Sequence, residues 1–304
     1  MWSCNTGAPG TPSKSAPLPR QIQAASLRTD MKASDKKYER IRGEAKTLPM
    51  RLRLSLMEDL KALASYRNSN GLRFSLESVS EYKRAKKSRA QHEPLVRWLA
   101  SFGPSDVFFD VGANIGGLSL MAAHLHDGRV PTFAFEPASD SFAALVRNIA
   151  ANNLTETITP IQVALFDETG IRPFYRSRVG AGSAFHAVGQ ALNDERQPFT
   201  PAAVEQVLAF RLDDLVRVCR LPRPTRIKLD VDGFEHKVMA GAAELLSGGP
   251  CEVYSELVQA DPDDRHPEQV TDFLRGLGYE RTQVIEHRRP GTFPRVFDAL
   301  FVRR

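Results

Sequence analysis

Phe109-Asp110-Val111-Gly112-Ala113-Asn114-Ile115-Gly116-Gly117 is the stretch that decides the fold. Val107 to Phe109 predicts a short buried strand, and the residues from Gly117 through His124 predict a helix. A glycine turn between strand and helix is where a nucleotide-like ligand meets the main chain. Registering Gly112, Asn114 and Gly117 on G-x-G-x-x-G puts a side chain where the second glycine should admit a pyrophosphate. It also sets the Asp110 carboxylate where it would repel a diphosphate, so a nicotinamide enzyme is disfavoured. A ligand with an ammonium and a sulfonium but no phosphate, S-adenosylmethionine, is instead attracted by that carboxylate. Gly112 and Gly116 are expected to bring its methionyl end close to the main chain, and Asn114 tolerates left-handed backbone while offering an amide.

Outward from this loop, strands and helices alternate. Thr132 to Phe135 predicts the second strand, ending at Glu136-Pro137. Glu136 lies 24 residues after Gly112, a separation at which an acid can accept both ribose hydroxyls. A helix over Ser139–Ala151 follows, then a third strand over Thr159–Leu165 that adds Ala164 to the expected cofactor-binding set. Residues 172–206 look irregular and insertion-like. Arg226 to Leu229 predicts a fourth strand running into Asp230-Val231-Asp232-Gly233-Phe234-Glu235, with a helix over Phe234–Leu246. A fifth strand, Cys251–Leu257, carries Glu256, and Pro267–Leu277 is helical. Two last strands, Arg281–His287 and Val296–Val302, are joined by eight residues, too few for a helical crossover, so they should pair antiparallel.

The chain has 304 residues, 42% hydrophobic and 25% charged, an ordinary globular composition that excludes collagen-like and wholly disordered chains. Three cysteines exclude a disulfide scaffold and show no metal-binding spacing. The longest helix-like apolar stretch, Leu118 to Leu125, is far too short for a membrane span. With no apolar leader pattern at the N-terminus, a cytoplasmic protein is expected. Charge is asymmetric: residues 1–94 hold 19 Lys and Arg against 9 Asp and Glu, a balance of +10, and residues 95–304 hold 22 against 27, a balance of −5. Residues 1–35, rich in Pro, Ser, Gly and Ala, are expected to be a disordered tail. Residues 36–94 are expected to be a basic helical extension, with helices over Lys36–Tyr66 and Ser75–Ala90 around a turn at Asn68-Ser69-Asn70-Gly71. A further helix opens at Pro94, and the catalytic domain is expected over 95–304.

The ordered set resembles the FkbM-type methyltransferase family, S-adenosylmethionine-dependent enzymes. It comprises Phe109 to Gly116, Phe135-Glu136-Pro137, Asn148-Ile149, Leu212-Asp213, Ile227 to Glu235, Gly241-Ala242 and Ser255-Glu256. The resemblance implies a Rossmann-like class I methyltransferase α/β fold, a mostly parallel seven-stranded sheet with an antiparallel terminal strand. The N-terminal helical extension lies outside it. It implies methyl transfer from S-adenosylmethionine to a hydroxyl oxygen of a sugar, polyketide or related metabolite. One departure is visible: Asp232 stands where the family usually has glutamate, a carboxylate one methylene shorter.

The expected site therefore has Asp110, Gly112, Asn114, Gly116, Glu136 and Ala164 on the cofactor. Asp230 is the first choice of base, at the tip of the central strand, and His236 the second; His266 and His186 are weaker choices. Asp230, Asp232 and Glu256 could alternatively hold Mg²⁺, but no metal is favoured. Gly180 to His186 could form part of an acceptor lid, and the N-terminal helices could cover the cleft or form a homo-oligomer. Two competing readings use the same cofactor. One is a nucleic-acid methyltransferase docking through the basic arm, disfavoured by the acidic catalytic region and the missing Asn/Asp-Pro-Pro-aromatic signature. The other is a non-catalytic S-adenosylmethionine-binding module, disfavoured by the intact acids.

Overall fold

The structure, a computed structural model, describes residues 48–89, 93–287 and 292–304. The tail expected over 1–35, the start of the expected helix at Lys36 and the Arg288-Arg289-Pro290-Gly291 connection lie outside the described residues. Helix α1 spans Met50–Leu63, and the larger of the chain's two units covers Glu58–Arg304. Within the larger unit, β1 (Ser65–Arg67) and β2 (Arg73–Ser75) form a hairpin around the expected turn. Tyr66 and Ser75, expected in helices, are therefore in strands, because the Asn68 side chain accepts the N–H groups of Asn70 and Leu72 and folds the chain back. Helix α2 (Val79–Arg89) and helix α3 (Glu93–Ala100) follow.

The remaining elements of the main layer are β3 (Phe108–Val111), α4 (Gly117–Leu125), β4 (Thr132–Phe135), α5 (Ser139–Ala151) and β5 (Ile158–Ile161). A second group, β6 (Ala164–Leu165), β7 (Gly170–Arg176), β8 (Ala187–Val188) and β9 (Ala203–Phe210), interrupts it. The main layer resumes with α6 (Leu212–Cys219), β10 (Arg226–Leu229), α7 (Glu235–Ala240), α8 (Ala243–Ser247), β11 (Cys251–Gln259), α9 (His266–Gly276), β12 (Glu280–Glu286) and β13 (Arg295–Arg303).

Seven strands make one sheet in the order β12-β13-β11-β10-β3-β4-β5, and β13 alone runs against the others. This is the Rossmann-like methyltransferase arrangement that the resemblance implies. Adjacent residues of β3 show why it is covered on both faces. Phe108 belongs to one core with Trp98 and Leu99 of α3, Leu120 of α4 and Leu145 of α5. Phe109 belongs to a second core with Leu212 of α6, Val238 of α7, Leu245 of α8 and Leu274 of α9. Each such side chain contributes about 1.5–3 kcal/mol by leaving water. Leu72, Phe74 and Ala85 join the first of these cores, so the domain start expected at residue 95 falls inside a continuous core. From β3 the chain builds outward to β4 and β5, then crosses back to β10 and β11. The crevice at that reversal, beyond the strand ends, is where such sheets bind ligands.

Three expectations fail locally. The third strand divides: β5 stays in the main sheet, and β6 pairs with β9 in a separate four-stranded sheet, β6-β9-β7-β8. The irregular segment 172–206 contains much of that sheet. The helix expected over Phe234–Leu246 breaks into α7 and α8 at Gly241-Ala242, where a Cβ on Gly241 would overlap the Phe166 carbonyl oxygen.

Candidate active site

Register positions the centre of the site. Val111 of β3 lies beside Leu229 of β10, so Gly112 and Asp230 leave the sheet side by side. Gly112 has φ +82°, and a Cβ there would overlap the Asp230 carbonyl oxygen. Gly116 has φ +90°, and its Cβ would come within 2.6 Å of Leu145 Cδ1. Both glycines therefore let protein approach protein, not only ligand approach loop; Gly112 also lines the crevice and Gly116 does not. Asn114 has φ +51°, as its type permits, and its side-chain amide donates to the Ser183 carbonyl at 2.7 Å.

Two cavities open here. The larger, about 370 Å³, is bounded by Glu136 on one side, by Phe135, Val163, Ala164, Phe166 and Phe174 as an apolar wall, and by Ser183 to His186. That volume falls within the ~300–1,000 Å³ of small-molecule sites. The smaller, about 100 Å³, reaches Asp110, Lys228 and Asp298. Arg84, Gly112, Asn114, Asp230 and Glu256 border both.

Glu136 is buried, with one carboxylate oxygen accepting the Asn114 N–H and the other the Ala138 N–H, each at 2.8 Å. Burial outweighs those bonds and pushes its carboxyl up to about 7. Each oxygen keeps a second lone pair for a hydroxyl donor. Asp110 is also buried; burial raises it to about 6, against the Ser119 hydroxyl that donates to it at 2.5 Å and the charge of Lys228. Asp110 borders the smaller cavity, not the larger.

Lys228, within the Ile227–Glu235 stretch, is a site residue that the motif pattern alone does not single out. It is a buried lysine inside a strand, its Nζ 3.3 Å from the Leu229 carbonyl and 3.9 Å from Asp230. Burial opposes its charge, but Asp230, Asp298, Glu256 and Asp110 together hold the ammonium above its usual range. Asp298, between Phe297 and Ala299 of β13, accepts the Tyr254 hydroxyl at 3.0 Å and faces His287 at 3.3 Å. A charged residue at a strand position flanked by apolar ones was the signal for both. Glu256, His287 and Asp298 bring ligand atoms within 4.8 Å of one another, and these acids already attract the Lys228 ammonium. Asp230 and Asp232, weighed with Glu256 as an alternative Mg²⁺ set, are not part of this grouping.

The other acids divide sharply. Asp230 borders both cavities with its side chain 39% exposed. Asp232, at φ +53°, accepts the Phe185 N–H at 2.7 Å; burial and Asp230 push its carboxyl well above the usual range. Glu235 turns inward, accepting the Val231 and Gly233 N–H groups and pairing with His266 at 3.2 Å. His236 lies outside both cavities, its ring 5.2 Å from that of His266, because the first turn of α7 points Glu235 and His236 toward the start of α9. His186 lines the larger cavity, but its Nδ1 accepts the Ser177 N–H at 3.2 Å, which leaves the neutral ring's proton on Nε2. Burial and Arg176 lower it to about 4, so near neutral pH it is an uncharged donor there.

The methyltransferase FkbM domain profile matches residues 110–281, more than half of the chain. The chain belongs to the FkbM methyltransferase family. The chain is 26% identical over 192 residues to the hexuronic acid methyltransferase AglP of Haloferax volcanii, covering 63% of this chain and 73% of that one. It is 32% identical over 162 residues to the 31-O-demethyl-FK506 methyltransferase FkbM of Streptomyces tacrolimicus, covering 46% of this chain and 61% of that one. A crystal structure of methyltransferase FkbM from Methylobacillus flagellatus aligns with a TM-score of 0.46 at 15% identity, covering 82% of this chain and 58% of that one. The FkbM domain is an S-adenosylmethionine-dependent methyltransferase, and the chemistry of the residues present suits a cationic nucleoside donor: a buried acid, an apolar wall and a cluster of acids around one crevice. Among the described residues, no helix is long and apolar enough to cross a membrane.

Proposed function

We propose that the enzyme methylates a hydroxyl oxygen of a small molecule or glycan, with Asp230 as the base. The relatives support the acceptor class, one being named for a hexuronic acid and the other for an O-demethyl metabolite. Asp230 carries the mechanistic part: its carboxylate stands at the strand tip where both cavities meet, beside the Gly112 loop. In this reading Glu136 and the apolar wall hold the adenosine end, and Asp110, Gly112 and Asn114 border the amino-acid end. The donor supplies a methyl group on a sulfonium leaving group. The protein's task is to align the acceptor oxygen with it and to take the hydroxyl proton on the Asp230 carboxylate.

Asp232 and Asn114 act as positioning residues, since they hold the Gly180–His186 segment by its main chain. His236 has no part in this scheme. Lys228 places a fixed positive charge among the acids, so a divalent cation is not needed there. A cytoplasmic location and self-association belong to the same proposal, read by fractionation and light scattering.

Incubating the enzyme with methyl-labelled S-adenosylmethionine and a pool of sugars and polyketides, then weighing the labelled product, tests the acceptor class. Full activity in excess EDTA is expected. Asp230→Asn should lower kcat by about 10²–10⁴ with donor affinity retained, the range for losing a positioned base. Label appearing only on nitrogen or carbon, or an active Asp230→Asn enzyme, rejects the scheme.

A further inference from the structure

Arg84 lies on α2, before the residues that the family profile matches, yet it borders both cavities together with Gly112 and Asp230. Its Nε donates to the Gly182 carbonyl at 3.3 Å, which fixes the direction of the guanidinium. The other four N–H groups are on the two terminal nitrogens, the planar edge that grips a carboxylate at two points. Its charge is felt across the site, by Asp232 and by His186.

The charges lining the larger cavity are otherwise acidic: Glu136, Asp230, Asp232 and Glu256. The smaller cavity adds Lys228, but that ammonium is buried among Asp230, Asp298, Glu256 and Asp110. S-adenosylmethionine brings not only an ammonium and a sulfonium but an α-carboxylate, which such an acidic surround repels unless a cation meets it. Arg84 is placed to be that cation, at the loop where the amino-acid end is read to lie.

We infer that Arg84 binds the α-carboxylate of the methyl donor, so that the N-terminal extension completes the cofactor site. The inference rests on the donor placement proposed above. Calorimetry on the full chain separates the two, using S-adenosylhomocysteine, which keeps the carboxylate, and methylthioadenosine, which lacks the whole amino-acid end. Arg84→Met should weaken S-adenosylhomocysteine at least tenfold while methylthioadenosine stays within twofold, and Arg84→Lys should recover part of the loss. Equal weakening of both ligands would assign Arg84 to holding Gly182 and overturn the inference. So would unchanged S-adenosylhomocysteine binding with a raised acceptor KM, which would give the arginine to the acceptor. If the wild-type chain binds neither nucleoside, the donor placement itself is wrong and the inference falls with it.

Discussion

The two walls of the larger cavity are built by different means. One is made of strand tips: Gly112 fits against Asp230, and Glu136 is held by the N–H groups of Asn114 and Ala138. The other is the Gly180–His186 segment, fastened to distant parts of the chain by side-chain-to-main-chain bonds. Asn114 holds Ser183, Asp140 holds Gly180 at 2.6 Å, Ser141 holds Gly182 at 3.3 Å, and Asp232 holds Phe185. Beneath it, the buried Arg176 guanidinium pairs with Asp140 and Glu205. The first wall derives its shape from sheet register and can change only if the sheet changes. The second is a set of individual bonds, each worth about 0.5–1.5 kcal/mol, and can be loosened one bond at a time.

The sharpest way to break that contrast is Gly112→Ala. The new Cβ meets main chain, not a yielding side chain, at a φ that alanine disfavours. A loss of about 3–4 kcal/mol in stability is expected from overpacking and strain together, with donor binding lost as well. Denaturant melts and calorimetry read both. A variant that keeps wild-type stability and affinity would mean that the first wall also yields.

A smaller effect is expected at Glu136. Glu136→Ala should weaken S-adenosylhomocysteine at least tenfold, about 1.4 kcal/mol, for losing a charged acceptor. Because burial raises this carboxyl to about 7, the free protein takes up its proton as pH falls through 7. If the ribose hydroxyls favour the carboxylate, binding must then expel that proton. Affinity should be flat above pH 8 and decline by up to tenfold per pH unit below 7, until the bound-state value is reached. Glu136→Gln should lose the part of that slope between pH 8 and 6.5, leaving the later decline that Asp110, near 6, contributes. The same raised value runs the other way for folding. Relative to an exposed glutamate, protonation of the buried Glu136 adds stability as pH falls from 7 toward 4.5, and that increment is lost again as pH rises through 7.

The same contrast explains what could be read from residues alone. The strand–glycine turn–helix pattern at Phe109–Gly117, the acid after β4 and the acids after β10 are local features, so their positions follow from register once the sheet order is known. The second sheet was hidden because β7 carries Arg172, Pro173 and Arg176, and β9 carries Glu205 and Gln206, residues that look like loop. Their partners are far off in sequence, as Arg176 to Asp140 is. Gly241 carried a usable sign, a glycine inside a helical stretch, which marks a close approach of backbone; the partner, Phe166, could not be named. His236 follows a related rule: it is close to the Asp230 motif in sequence, but the first turn of α7 directs it toward His266 and away from both cavities.

The smallest expected effect tests the second wall most directly. Asp232 is one methylene shorter than the usual glutamate, yet its positive φ brings the carboxylate to the Phe185 N–H. Phe185 itself has φ +62° and is 51% exposed at the cavity's edge, so little packing holds it there and the Asp232 bond matters more than one bond in a core would. Asp232→Ala should therefore raise the acceptor KM several-fold, on the order of 1 kcal/mol, while S-adenosylhomocysteine affinity stays within about twofold. Asp232→Asn keeps an acceptor oxygen and should restore most of the KM, which a role for the charge itself would not allow. Proton transfer by Asp232 would show differently, as a collapse of kcat in both variants. In that case the two walls would share the chemistry, and the division between a fixed donor side and an adjustable acceptor side would not hold.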